Sequence, residues 1–131
     1  MKSITLLLLA FSLNCYGQTA EEYFKSGNVK DDLKDYRGAI QDYSKGLELN
    51  PKNTDYYYIR GIIKRKLEEY RAAIIDFNQA IDLNSKDASF YYNRGLAKIG
   101  FNQKNSGCLD LSKAGESGFD KAYEAIKKLC N

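Results

Sequence analysis

The sequence predicts an all-α protein, an α-solenoid made of stacked helical hairpins. Two pairs of segments recur at one offset of 34 residues: Tyr57–Lys64 returns as Tyr91–Lys98, and Gly38–Tyr43 returns as Ala72–Phe77. A fixed period of this length is typical of helical repeat arrays. No segment shows the alternation of apolar and polar residues that a half-buried strand needs, so we expect no sheet.

Cap signals, apolar spacing and helix breakers divide the chain into seven predicted helices. Thr19 and Glu22 have the spacing of a capping box, which places the start of the first helix at Ala20. Pro51 ends the second helix, because the residue before a proline is pushed out of the helical region. Thr54 is the expected N-cap of the third helix. The predicted helices cover residues 20–33, 36–49, 54–67, 70–83, 88–99, 103–114 and 119–129.

Residues 1–17 are predicted to be a secretory signal peptide, which leaves 18–131 as the folded domain. A basic start precedes an apolar run, residues 4–13, and the small residues Cys15 and Gly17 suit cleavage before Gln18. A membrane-spanning helix needs about 20 apolar residues, roughly twice this run, so we expect no membrane span. The alternative is a lipid anchor on Cys15. Asn14 stands where that motif usually has Gly, Ala or Ser, so we expect soluble export to a bacterial periplasm or to the outside of the cell.

Two cysteines, Cys108 and Cys130, remain after the predicted leader. One lies early in the sixth predicted helix and the other late in the seventh, and these helices are antiparallel, so both fall at a similar depth. An even cysteine count in an exported protein permits a disulfide. We expect a structural bridge, with two free thiols as the alternative.

The period divides the chain into three units, residues 20–53, 54–87 and 88–118, followed by a last helix at 119–130. The fourth position is always tyrosine, the eighth is glycine, the twentieth is small, and the twenty-fourth is aromatic or leucine. These residues are Tyr23, Tyr57 and Tyr91; Gly27, Gly61 and Gly95; Ala39, Ala73 and Gly107; Tyr43, Phe77 and Leu111. On these residues the chain resembles the tetratricopeptide repeat (TPR) family. The resemblance implies three TPR hairpins in a right-handed superhelix, with a C-terminal capping helix over the last apolar face.

Charged residues also recur in register. Arg60 and Arg94 share the seventh position of their units, and Asp42, Asp76 and Asp110 share the twenty-third. Both positions lie toward helix faces that meet. An anion site on the arginines is the functional alternative, but we expect inter-helix Arg–Asp ion pairs, because each arginine has an aspartate at matched spacing.

The resemblance further implies a concave groove that holds a peptide or a helix of a partner protein. Tyr58 and Tyr92 fall at groove positions, where tyrosine is a rigid contact residue with one polar end. By the same placement the groove carries Phe24, Asn28, Ile62, Arg65, Asn93 and Leu96.

Chaperone-binding members of the family use a clamp of Lys, Asn and Arg for two carboxylates. Asn28 and Asn93 fit that pattern, but Phe24 and Ser89 replace the basic residues that it requires. We therefore expect no such clamp.

Composition excludes several other functions. The 20 Lys and Arg against 17 Asp and Glu give a net charge of +3, too balanced for nucleic-acid binding driven by bulk charge. The chain has no histidine, no cysteine cluster and no P-loop, so we expect no metal, no cofactor and no enzyme activity. The leading prediction is an exported protein-interaction module. The alternative is a structural scaffold or assembly subunit that uses its end or convex faces.

Overall fold

The computed structural model describes residues 17–131, which form seven α-helices and no strand. The helices are α1 Ala20–Asp32, α2 Tyr36–Leu49, α3 Thr54–Lys66, α4 Tyr70–Leu83, α5 Ala88–Gly100, α6 Lys104–Glu116 and α7 Lys121–Leu129. The predicted all-α solenoid is thereby confirmed. In this part of the chain no helix is both long enough and apolar enough to cross a bilayer.

The helices pair as α1 with α2, α3 with α4, and α5 with α6, and α7 packs on α6. Between hairpins, α2 contacts α3, α4 contacts α5, and α3 touches α5. We call the surface formed by α1, α3 and α5 the inner face, and the surface formed by α2, α4 and α6 the outer face. The core runs between the two layers, and one cluster links α4, α5, α6 and α7 through Ala80, Phe90, Tyr91, Ala114 and Ala122.

The glycine at the eighth position of each unit marks where a hairpin's helices cross. A Cβ added to Gly27 or Gly61 would lie 2.7 Å or 2.8 Å from the aromatic ring at the twenty-fourth position of the same unit. In the third hairpin, a Cβ on Gly95 would lie 2.8 Å from the carbonyl oxygen of Gly107. There the twenty-fourth residue is the smaller Leu111, and two glycines let the backbones of α5 and α6 approach directly.

The turn inside each hairpin repeats the same backbone conformation. Lys34, Glu68 and Asn102 have positive φ angles of 61°, 60° and 61°, and each follows the C-cap of the first helix of its hairpin. The next residue donates its N–H to a carbonyl five residues back, at distances of 2.8 to 2.9 Å, as in a Schellman motif. Gly118, with φ of 96°, takes this place between α6 and α7.

One N-cap and two helix starts differ from the sequence prediction, and α6 begins at Lys104 rather than at residue 103. The N-cap of α3 is Asn53, whose side chain accepts a hydrogen bond from the Tyr56 N–H at 3.2 Å, and Thr54 is the first helical residue. Asparagine caps at least as well as threonine, which explains the shift by one residue. The last helix begins at Lys121, because Phe119 and Asp120 still belong to the turn.

Candidate functional site

Tyr58 lies on the inner face, where the third unit encloses it. Its ring packs against Phe77 and Phe90, with ring centroids 6.1 and 4.7 Å apart. Its hydroxyl accepts a hydrogen bond from Asn93 Nδ2 at 2.9 Å, and the same amide group donates to the Ser89 carbonyl at 3.0 Å. Asn93 is buried, only 7% exposed. Tyr58 and Asn93 are therefore hydrogen-bonded to each other, although they lie 35 residues apart in sequence.

Arg65 joins this group with little compensation for its charge. Its Nη2 donates to Asn93 Oδ1 at 3.4 Å, which is a long hydrogen bond. Its Nε is buried and has no acceptor among residues 17–131. The structure thus brings Tyr58, Arg65 and Asn93 together, and no carboxylate of residues 17–131 forms an ion pair with Arg65.

Tyr92 occupies the same repeat position as Tyr58, and like Tyr58 it is partly exposed. Its ring packs against Phe119, with centroids 4.8 Å apart. A cavity of about 320 Å³ opens beside it, lined by Tyr92, Leu96 and five residues of α7: Lys121, Glu124, Ala125, Lys128 and Leu129. The predicted groove residues Tyr92 and Leu96 are therefore neighbours in one concave site against α7.

The α1 members of the predicted groove pack within the first two hairpins. Phe24 stacks on the ring of Tyr56, with centroids 4.3 Å apart and planes at 10°. Asn28 accepts a hydrogen bond from the Tyr43 hydroxyl at 2.6 Å. Burial raises the pKa of that hydroxyl, so it remains a donor at neutral pH. Phe24 and Asn28 thus contact Tyr56 and Tyr43, respectively, within the first two hairpins.

Ile62, the remaining predicted groove residue, packs against a buried cluster of Ala73, Phe77 and Ala97. Ile62 lies on the inner face and is partly exposed. Its contacts show that it also contributes to the hydrophobic core.

The aspartates at the twenty-third position lie in ion pairs between paired helices. Asp76 accepts two hydrogen bonds from Arg60, at 2.8 and 2.6 Å, and Lys64 lies 3.0 Å away. Asp110 receives Arg94 in the same two-bond manner, at 2.7 and 2.8 Å, and Lys98 lies at 2.9 Å. The hydrogen bonds to Asp110 raise the pKa of the Arg94 guanidinium. Both arginines are thus held by carboxylates inside their hairpins.

The lysines at the eleventh position were missing from the predicted pairs. Lys64 and Lys98 lie one helical turn beyond the arginines, on the same face, and their offset of 34 residues was the signal that pointed to them. In the first unit, Ser26 stands where the others have arginine. Asp42 therefore accepts from Ser26 at 2.6 Å and pairs with Lys30 at 2.8 Å. Burial raises the pKa of Asp42, but these two partners more than offset it, and the pKa lies below its usual value.

Cys108 on α6 and Cys130 after α7 are joined by a disulfide, with their Cα atoms 5.9 Å apart. The bridge ties the end of α7 to the third hairpin. Cys15 and the rest of the predicted leader, apart from Gly17, lie outside the described residues. Across residues 17–131, no three His, Cys, Asp or Glu side chains are grouped to hold a metal ion.

A second concave site lies toward the outer face. A cavity of about 420 Å³ is lined by residues 68–72 with Ile75 and Phe101. The exposed fraction of Ile75 is 60% and that of Phe101 is 42%. Leu109, at the same repeat position as Ile75, is 72% exposed.

Two family models match the chain. A model described as TPR repeat matches residues 61–99, and one described as tetratricopeptide repeat matches residues 20–53. The chain carries TPR repeats. The two matches fall on the glycine-marked crossings of α1 with α2 and of α3 with α4, and they include most of α5. Among curated proteins, no sequence matches this TPR chain with significance.

Three solved structures, two of them TPR domains, are similar to the chain over most of its length. The first TPR of Spaghetti (RPAP3), bound to the HSP90 peptide SRMEEVD, is 24% identical with a TM-score of 0.81, covering 86% of this chain and 91% of that one. The Arabidopsis OM64 TPR domain is 24% identical with a TM-score of 0.80, covering 84% and 93%. MamA is 25% identical with a TM-score of 0.73, covering 80% and 61%.

Proposed function

We propose that this TPR protein is an exported interaction module whose inner face holds a segment of a partner protein. The observation that carries the proposal is the cavity of about 320 Å³ between Tyr92, Leu96 and α7. A concave site with an aromatic and an aliphatic wall suits the anchor side chain of a peptide. By analogy of fold alone, the RPAP3 TPR domain solved with an HSP90 peptide supports a peptide ligand.

A peptide array tests this function directly. The full chain is applied to an array of ten-residue peptides of mixed composition, beside a Tyr92→Ala/Leu96→Lys variant and an Ile75→Lys/Leu109→Lys variant. We expect the inner-face variant to lose the bound peptides and the outer-face variant to retain them. Loss of peptide binding in the outer-face variant alone would place the binding surface on the outer face and contradict the proposal.

Export is the second part of the proposal. The predicted leader supports it, and so does the bridge between Cys108 and Cys130, because disulfides persist in oxidising compartments. Intact-mass measurement of the protein from its native cells checks both. We expect a chain that begins at Gln18 and is two hydrogens lighter than the reduced form. A chain that retains Met1, or a lipid on Cys15, would contradict soluble export.

The exposed outer-face residues Ile75 and Leu109 favour a second candidate function, a scaffold that associates through its convex side. Both are large apolar side chains that are mostly exposed, at the same position of successive units, and exposed apolar surface can mark an interface. Light scattering separates the two functions. A stable oligomer that the Ile75→Lys/Leu109→Lys variant disrupts would support the scaffold, and a monomer at all concentrations would rule it out.

A further inference from the structure

We infer that the cavity beside α7 recognises an extended acidic segment of a partner protein, with one apolar side chain seated against Tyr92 and Leu96 and carboxylates beside Lys121 and Lys128. The inference rests on the proposed function and adds the chemistry of the partner. It follows from the residues that α7 turns toward the inner face and from the charges that the fold leaves without partners.

The α7 residues at the cavity share one side of the helix. Their spacing from Lys121 is three, four, seven and eight residues, which is the spacing of one helical face. Ala125 and Leu129 supply apolar wall opposite Tyr92 and Leu96, and the two lysines flank it. The site therefore has an apolar wall flanked by two cations, with the carboxylate of Glu124 on the same helix face.

The cations at this end of the inner face are not neutralised within the described residues. Lys64 and Lys98 are held by Asp76 and Asp110, as shown above. None of the ion pairs among residues 17–131 includes Arg65, Lys121 or Lys128. Glu124 is the one carboxylate that lines the cavity. The lining thus carries two cations and one carboxylate, a net positive charge.

The lysine spacing sets the spacing of acidic residues in the partner. Seven residues of α-helix place Lys121 and Lys128 about 10 Å apart along α7. An extended peptide advances about 3.4 Å per residue, so acidic residues three positions apart span the same distance. An apolar residue between them faces the cavity. A clamp for chain-terminal carboxylates would need basic residues at Phe24 and Ser89, so the inference concerns the acidic side chains of an extended segment.

Fluorescence anisotropy with a defined probe tests the inference. The probe is a fluorescein-labelled decapeptide with one leucine between two pairs of glutamates. Matched peptides carry glutamine in place of glutamate, or glycine in place of leucine. The full chain is compared with Lys121→Glu/Lys128→Glu and with the control Lys52→Glu/Lys127→Glu, which makes the same change in net charge at exposed residues outside the cavity. Circular dichroism verifies that each variant is folded.

We expect the cavity variant to bind the acidic probe at least about tenfold more weakly and the control to stay within about threefold, with affinity falling as salt rises. The glutamine and glycine peptides should each bind about tenfold more weakly than the probe. Equal loss in both variants, or equal binding of the glutamine peptide, would overturn the inference. If the glutamine peptide binds and Tyr92→Ala abolishes that binding, the proposed function stands without the acidic preference. If no peptide of the array or this set binds, both fail.

Discussion

Tyr58 and Tyr92 are tyrosines at the same position of successive repeats, but they have different neighbours in the structure. Tyr58 faces a complete third hairpin, which supplies the Phe90 ring and the Asn93 amide. Tyr92 faces α7, and at the offset of 34 residues Glu124 stands where Phe90 stands one unit earlier. Phe119 packs on Tyr92 instead, with ring centroids 4.8 Å apart, and a cavity lies beside Tyr92 where Glu124 replaces the ring of Phe90.

The comparison shows how a repeat array separates stability from binding. An inner-face side chain in the middle of the array is covered by the next unit, and its polar end is satisfied there. Within residues 17–131 the third unit is followed by the single helix α7, and Tyr92 and Leu96 line a cavity beside it. The capping helix covers the outer part of that end and leaves Tyr92 and Leu96 accessible beside the lysines of α7.

The largest expected effect comes from truncating the two tyrosines. Tyr58→Ala should lower the free energy of unfolding by about 3 kcal/mol, because it removes a ring packed on Phe77 and Phe90 and leaves Asn93 with one bond fewer. Tyr92→Ala should cost about 1 kcal/mol, since its ring has one aromatic partner, Phe119, and no hydrogen bond among residues 17–131 uses its hydroxyl. Urea unfolding followed by circular dichroism measures both. Equal losses would contradict the difference between the sites.

Removal of the disulfide should loosen the Tyr92 end and leave the Tyr58 end intact. Cys108→Ser/Cys130→Ser opens a loop of sequence separation 22, and we expect it to lower stability by about 2 to 3 kcal/mol. Hydrogen exchange should then be faster in α7 than in α3 and α4. The matched control is the same variant in reducing buffer, which should not change its exchange further. Uniformly faster exchange across the chain would show that the bridge supports the whole fold.

A substitution that places an aromatic ring at position 124 should fill the cavity beside Tyr92. Glu124→Phe places an aromatic residue where Phe90 stands in the preceding unit, and we expect it to stabilise the protein by about 1 kcal/mol by burying apolar surface. It should also abolish binding of the acidic probe. Glu124→Gln is the control, because it removes the charge without filling the cavity, and it should retain or improve binding. Undiminished binding by Glu124→Phe would place the ligand elsewhere.

The smallest expected effect isolates one hydroxyl. Tyr58→Phe removes an acceptor of Asn93 and should cost about 1 kcal/mol of stability. Tyr92→Phe should change stability by less than about 0.5 kcal/mol, because no hydrogen bond within the described residues uses its hydroxyl. Thermal unfolding of the two variants side by side tests this, and a larger loss in Tyr92→Phe would reveal a polar partner at the open site.

The repeat period was sufficient to predict the fold. Glycine at the eighth position and a large residue at the twenty-fourth follow from how closely two helices cross, so spacing alone places them. Asp76 and Asp110 each form ion pairs inside their own hairpin, so the repeat spacing also predicts these pairs. Asp42 departs because Ser26 replaces arginine, and Lys30 takes over.

Contacts between units were beyond the same reasoning. The hydrogen bond from Asn93 to Tyr58 depends on the step from one hairpin to the next and on two side-chain rotamers, which no spacing specifies. The stacking of Phe24 on Tyr56 has the same origin. The resemblance placed Phe24 and Asn28 in the same groove as Tyr92, and in the structure both are partly exposed while they also contact residues of other helices.

The central claim, that the open end of the inner face is the binding site, is tested most directly by NMR. The isotopically labelled full chain is titrated with the acidic decapeptide, and amide shift changes are mapped residue by residue. The account predicts changes concentrated on Tyr92, Leu96 and the α7 residues from Lys121 to Leu129, with Tyr58 and the outer-face residue Ile75 unaffected. Changes centred on Ile75 and Phe101, or on α1, would contradict it.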